Sequence, residues 1–249
     1  MTLRQPTPAR SAATAETEAI LLSSPSLLFP GVEPRNPLGS VGFLAAGALL
    51  LAALVAPVAG QVTRRVSVST GGAQANGESV IPSISADGRY VAFVSSASNL
   101  VAGDTNATDD VFVRDRLVGA TERVSIDSLG VESNSYCMWP SISADGRYAA
   151  FVSSASNLVA GDTNATDDVF VRDRWSGTTE RVSVDSLGME ANGYCMWPSI
   201  SADGRYAAFV SSASNLVVGD TNATDDVFVH DRWTGATERV SVDSGGAQA

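Results

Sequence analysis

Trp139-Pro140-Ser141-Ile142-Ser143-Ala144-Asp145-Gly146-Arg147-Tyr148-Ala149-Ala150-Phe151-Val152-Ser153 decides how most of this chain folds. An Asp-Gly pair between two apolar runs is the strongest short-range signal of a β-hairpin, because a tight hairpin turn needs positive φ at its centre. The run after the turn, Tyr148 to Ser153, is apolar at successive positions, which suits a strand covered on both faces. The same segment stands at Ser83 to Ser95 and at Ser199 to Ser211, so the turn Asp recurs every 58 residues, as Asp87, Asp145 and Asp203. A period of that size marks stacked copies of one supersecondary unit. Residues Ser141 to Ser186 and Ser199 to Ser244 differ at four positions only: Ala160/Val218, Arg172/His230, Ser176/Thr234 and Thr178/Ala236.

Each period reads as four short strands. Pro82 to Ala86 is expected to be the first and Tyr90 to Ser95 the second, joined by the Asp87-Gly88 turn. The polar loop from Ser96 to Asp109 leads to a third strand, Asp110 to Arg114, and a turn containing Gly119 leads to a fourth, Glu122 to Asp127. In that fourth strand Val124 and Ile126 alternate with polar residues, as on a strand at an outer rim. Four antiparallel strands per repeat, with Gly and Asp turns and no amphipathic helix, make a propeller blade. The fold class is therefore all-β, with three four-stranded blades at about 83–127, 141–185 and 199–243 inside a repeat region of 61–249.

Trp139 to Phe151 resembles the repeat of TolB-type, WD-repeat-like bacterial β-propellers, in which an apolar-Ser-x-Asp-Gly turn precedes a strand ending in Ala-Phe. The resemblance covers residues 62 to 249 in three copies. It implies a β-propeller fold and a periplasmic role in binding other envelope proteins, with no partner specified. The chain departs from the family in having no amino-terminal α/β domain of the TolB kind, and in a longer blade, owing to the loop after Asn99.

The strands do not come in equal numbers. Arg64 to Ser69 matches the fourth strands at Glu122, Glu180 and Glu238, so three copies of the first three strands accompany four copies of the fourth. Closed propellers hold about 4 to 8 blades. Three blades plus one extra strand are thus expected to be an incomplete ring, or a ring closed by a second copy in a homodimer. Open blade faces would be wet and apolar, where repeat arrays normally carry a polar cap. Gly245 to Ala249 repeats Gly71 to Ala75, which in the first copy runs on into a blade. The preferred reading is a fragment of a longer array or a truncated reading frame.

The first sixty residues differ in character. Residues 1–40 are rich in Pro, Ala, Ser and Thr and are expected to be disordered. Residues 41–60 are uncharged and apolar and end in Val58-Ala59-Gly60, as a signal peptide cut before Gln61 would. The run also matches the ~20 residues of a membrane span, so an uncleaved anchor is the competing reading. Both place 61–249 outside the cytoplasm, whether periplasmic, secreted or held at the cell surface. A net charge of -11, with Arg supplying all 16 basic residues, disfavours nucleic acid and anionic membrane surfaces as partners.

The most suggestive chemistry lies in the loop Gly103-Asp104-Thr105-Asn106-Ala107-Thr108-Asp109-Asp110, repeated from Gly161 and Gly219. Asp104, Asn106 and Asp110 are calcium candidates, because hard oxygen ligands at alternate positions open an EF-hand loop. Asp162, Asn164 and Asp168 in the second copy, and Asp220, Asn222 and Asp226 in the third, are their equivalents. The central Gly and distal Glu of such a loop are missing. The favoured alternative is that Asp104 and Asn106 cap their own turn and that the acidic pair begins a strand. Asn106-Ala107-Thr108 is also a glycosylation sequon. Cys137 and Cys195 hold equivalent places on successive blades, too far apart for a disulfide that needs Cα atoms within about 7 Å, and are expected to be buried free thiols. Trp139 and Trp197 are expected in the core between blades, and His230, the single His, at the surface. No G-x-S-x-G elbow, HExxH, P-loop or CxxC motif is present. No cofactor is expected beyond calcium. The reading adopted is an exported, non-catalytic module that binds a protein partner through loops on one face of its blades. The alternatives are a calcium-dependent or glycan-binding surface module, or the binding segment of a larger enzyme.

Overall fold

The Asp-Gly hairpin closes on its own polar side chains. In the computed structural model, which describes residues 62–248, the Ser85 hydroxyl donates to Asp87 Oδ1 at 2.6 Å and the Arg89 amide donates to the same oxygen at 2.9 Å. The Gly88 amide closes the turn on the Ser85 carbonyl at 2.9 Å. This fixes the register of β1 (Ser79–Ile84) against β2 (Tyr90–Ser95), to which β3 (Asp110–Asp115) and β4 (Ala120–Arg123) add in order. The second antiparallel sheet is β5 (Cys137–Ile142), β6 (Tyr148–Ser153), β7 (Asp168–Asp173) and β8 (Thr178–Arg181). The third is β9 (Cys195–Ile200), β10 (Tyr206–Ser211), β11 (Asp226–Asp231) and β12 (Ala236–Arg239). These are three propeller blades. The described residues form one compact unit. The segments at 1–40 and 41–60 lie outside the described residues.

The first and fourth strands are displaced from the sequence reading, each for a local reason. The first strand starts earlier, at Ser79, because a bulge between Val80 and Ser83 carries it past Pro82, which has no amide to give the ladder. Trp139 and Trp197 occupy the same bulge in the other blades, with φ of 50° and 52°. The fourth strand ends at Arg123 rather than Asp127. Val124 still donates to the Val111 carbonyl at 2.8 Å, but the Val111 amide then bonds the Ser125 hydroxyl at 3.1 Å, and the backbone leaves the sheet. Val124 and Ser125 are buried, so this end of the strand is covered by its neighbour and is no wet rim. Beyond it Ile126 bridges Glu132, as Val68 bridges Gln74, Val184 bridges Glu190 and Val242 bridges Gln248. The surplus copy at Arg64 to Ser69 keeps only that final bridge.

Neighbouring sheets pack face to face, the first strand of each blade lying over the first and second strands of the blade before it. One core lies between the first and second blades, where Ile142 and Phe151 meet Ala92, Val94 and Val111. Its repeat lies between the second and third, where Ile200 and Phe209 meet Ala150, Val152 and Val169. The contact is keyed by an aromatic ring on a glycine. Gly146 has φ +73°, and a Cβ built there would lie 2.1 Å from the Tyr90 ring. Gly204 meets Tyr148 in the same way. The Arg174 guanidinium also lies over the Tyr90 ring, 4.5 Å from its centroid, and Arg232 lies over Tyr148 at 4.4 Å. Backbone bonds run alongside, from the Ala86 amide to the Ala144 carbonyl and from the Ala144 amide to the Ala202 carbonyl, both at 3.1 Å.

Gly88 holds the same turn with φ +70°, but the nearest atoms to its Cβ site are 3.5 Å and 3.9 Å away. Gly146→Ala is therefore expected to cost about 2–4 kcal/mol, combining overpacking against Tyr90 with positive-φ strain. Gly88→Ala is expected to cost only about 1 kcal/mol of backbone strain. Urea titration of the two variants checks this; equal losses would mean that the ring contact does not lock the blades.

Candidate functional site

The acidic loops converge on an arginine. Arg123, the last residue of β4, points its Nη1 at Glu132 Oε2 (2.7 Å), Asp110 Oδ2 (3.2 Å) and Asp104 Oδ1 (3.5 Å). Arg181 repeats this with Glu190, Asp168 and Asp162 at 2.8, 3.4 and 3.4 Å. Arg239 meets Asp220 at 3.3 Å and Asp226 at 3.5 Å, with Gln248 standing where the other copies have Glu. Asn106 does cap its turn, accepting the Thr108 amide at 3.2 Å, and its Nδ2 also donates to Asp110 at 3.1 Å and to the Ser133 carbonyl at 3.0 Å. Asn164 and Asn222 make the same turn, at 3.0 and 3.3 Å, and bond Asp168 and Asp226. Asp110 opens β3, buried, and takes the Ser125 hydroxyl at 2.5 Å. The structure thus brings the calcium candidates together in each blade, around a guanidinium. A calcium ion there would have to take the arginine's place. Among the described residues no group of three or more His, Cys, Asp or Glu side chains is arranged to hold a metal.

In the first two clusters three carboxylates share one cation, and burial together with the neighbouring charge raises the aspartates Asp104 and Asp162. Burial, with the neighbouring Asp168 carboxylate, pushes Asp162 up to about 6. Asp104 is raised for the same two reasons, through Asp110. Glu132 moves the other way, held down by the Thr105 hydroxyl and amide. The cluster ties loop to linker, because Glu132 belongs to the segment that leads to the next blade.

That segment also grips the blade it leads to. The Thr179 amide donates to Ser128 Oγ at 2.9 Å, and its hydroxyl to the Ile126 carbonyl at 2.6 Å, while Arg172 Nη1 reaches the Asp127 carbonyl at 2.9 Å. Thr237 bonds Ser186 and Val184 likewise, with His230 in the place of Arg172. His230 is buried, contrary to the surface position expected from its sequence, because the strand position it shares with Arg172 faces this linker. Its Nδ1 lies 2.9 Å from Thr237 Oγ1, and burial pulls its pKa down. Cys137 and Cys195 are buried free thiols, as expected, and burial pushes both up to about 12. Trp139 packs partly buried against the second core, edge-on to Trp197 with centroids 6.5 Å apart, whereas Trp197 stands largely exposed.

The opposite end of each blade, formed by the β1–β2 and β3–β4 turns and their repeats, carries a second arginine system that the sequence reading missed. Arg147 pairs with Asp173 through two bonds of 3.0 and 2.6 Å and lies between two rings, 4.7 Å from Tyr148 and 5.0 Å from Trp175. Arg205 does the same with Asp231, Tyr206 and Trp233. Asp173 Oδ1 also accepts the Trp175 amide at 3.0 Å, so one carboxylate positions the cation and the backbone of the aromatic. The Arg205 bonds hold the Asp231 carboxyl well below the ordinary range, and Arg89 holds Asp115 at about 2. Trp175 and Trp233 remain 65% and 67% exposed. In the first blade Leu117 stands at their position. The available signal was a Trp two residues beyond the Asp that ends the third strand, at a spacing of 58.

No protein-family model and no curated protein sequence matches the chain. Among solved structures it is similar to TolB from Acinetobacter baumannii, at 16% identity and a TM-score of 0.41, over 69% of this chain and 34% of that one. A putative TolB from Agrobacterium tumefaciens aligns at 17% identity and TM-score 0.42, over 65% and 48% of the two chains. The β-propeller domain of the Trilobed protease from Pyrococcus furiosus aligns at 15% and 0.42, over 66% and 42%. The chain thus spans between about a third and a half of the length of these structures. The four-stranded propeller blade expected from the repeat is the fold found here, and it stands on the strand order and stacking of the chain itself.

Because Asp162 binds its proton more tightly folded than unfolded, its contribution to stability falls as pH rises from about 4 to 6. Asp162→Asn is expected to raise the melting temperature at pH 7 by a few degrees and to flatten that slope. Thermal scans across this range check it; an unchanged slope would place the charge surplus elsewhere.

Proposed function

We propose that this chain is an exported, non-catalytic β-propeller module that binds a protein partner through the turn end of its blades. The carrying observation is the pair of exposed tryptophans, Trp175 and Trp233, each stacked on an arginine that a carboxylate holds in place. Binding energy at protein interfaces concentrates in Trp, Tyr and Arg side chains. Rings and guanidinium groups already held in one geometry lose less entropy when a partner arrives. The two sets recur one blade apart, so they can engage two points of an extended segment. Export is supported by the apolar run at 41–60 with its small residues before Gln61. A non-catalytic role is supported by the buried state of the thiols and of His230, groups that would otherwise be the first candidates for nucleophile or base.

A library of random peptides displayed on phage, selected against the full chain, tests the reading. Enriched peptides are expected to lose at least tenfold in affinity on Trp175→Ala/Trp233→Ala. They should keep their affinity on Leu129→Ser/Leu187→Ser, which alters exposed linker tips instead. Enriched peptides that bind the tryptophan variant undiminished would overturn it.

A further inference from the structure

The described residues leave two blade faces without a neighbour, and these faces fit each other. On the first blade Ile84 is 58% exposed, whereas Ile142 and Ile200 are 7% and 9% exposed under the preceding blade. On the third blade Val227 is 38% exposed, whereas Val111 and Val169 are 0% exposed under the following blade. Tyr206 lacks the glycine turn and the second arginine that enclose Tyr90 and Tyr148, and the socket at Gly88 lacks a ring. Each half of the internal contact is present at one end.

The charges match in the same way. Between blades Arg174 pairs with Glu122 at 2.5 Å, and Arg232 with Glu180 at 2.5 Å. The corresponding residues at the ends are Arg116 on the first blade and Glu238 on the third, and neither has an ion-pair partner among the described residues. Where Glu122 and Glu180 stand in the repeat, the amino-terminal copy has Arg64. Arg64, Arg65, Arg114 and Arg116 consequently line one groove of about 360 Å³ with Val62 and Val66 and no carboxylate. Like charges crowd the place where every internal interface has an opposite pair. The segment behind that groove is nevertheless anchored as a linker is, with the Thr121 amide on Thr70 Oγ1 at 3.0 Å and the Thr121 hydroxyl on the Val68 carbonyl at 2.6 Å. Ser244, at the position of Thr70, gives the third blade's final segment the same hydroxyl.

We propose that the third blade of one chain stacks on the first blade of a second copy, with Glu238 entering the arginine groove beside Arg116 and Tyr206 seating on Gly88. The partner's residues that follow β12 take over Thr121 and Arg114, and segment 64–75 is exchanged out. That segment is thus a competitor: it fills the linker site but brings an arginine to a position made for a glutamate. A contact of this head-to-tail kind either closes, with both ends of two chains engaged, or continues as an open array.

Absolute mass from light scattering on the full chain, over a broad concentration range, tests this. The native chain is expected to associate, less so in high salt because the pair is charged. Glu238→Arg should weaken association about tenfold or more, the scale of losing a well-placed interfacial pair. Arg116→Glu combined with Glu238→Arg should restore it. Arg64→Glu should shift the chain toward monomer, by giving segment 64–75 the missing carboxylate. Circular dichroism of each variant confirms folding. A folded native chain that stays monomeric at every concentration would overturn the proposal, as would association indifferent to the charge swap. The first outcome would leave the open faces to a different protein or to further blades.

Discussion

A four-stranded blade has two apolar faces, and one of them closes only against a neighbouring blade. The second strand shows this best: Val91, Ala92, Phe93 and Val94 are all buried, and both sides of the strand need cover. Within the sheet a pair of stacked rings, such as Phe151 on Phe170 at 5.9 Å, fills one side. The other side is filled only by the neighbouring blade, whose Ile142 or Ile200 enters the apolar floor. Stability in such an array is a sum over units and their nearest-neighbour contacts. The tyrosine on a Cβ-less turn gives those contacts their register, because only glycine at that point lets the ring approach the backbone.

The arginine clusters bind the array along the chain as the apolar contacts bind it across. Arg123 and Arg181 hold the long loop, the start of the third strand and the linker to the next blade in one ionic network, and the linker in turn grips the outer strands of the blade that follows. A buried arginine surrounded by acids is destabilising to break, since it leaves uncompensated charge on both sides. This accounts for an Asp/Asn-rich loop that repeats unchanged without needing a ligand to order it. The free turn end of the blades carries its own cations on aromatic faces, exposed and already positioned.

Much of the architecture was legible in the chain because the signals were local. The Asp-Gly turn, the doubly apolar second strand and the period of 58 set the blades and their order, and the matching places of Cys137 and Cys195 kept them unpaired. What escaped was set by residues far apart in sequence. The acidic loop was read for its own spacing, whereas its cation is an arginine that returns 13 residues after Asp110 on the next strand over. His230 was read as a surface substitute for arginine, but arginine at that position is itself half-covered by the linker of the preceding blade. Trp197 and Trp139 carry the same motif and differ in exposure only because one has a further blade beside it and the other does not. Environment, not composition, separates them.

The second and third blades are near-identical in sequence, and so offer a direct test of whether a neighbour is what stabilises a blade. Hydrogen exchange followed by mass spectrometry on the Glu238→Arg chain, kept dilute so that no second copy covers the third face, reads the two blades side by side. Exchange is expected to be clearly faster in β9 to β12 than in β5 to β8, with the largest difference around Val227 and Val240, which lose the cover that Val169 and Val182 have. Equal protection in the two blades would contradict it, and would mean that each sheet is stable by itself and that stacking only arranges them.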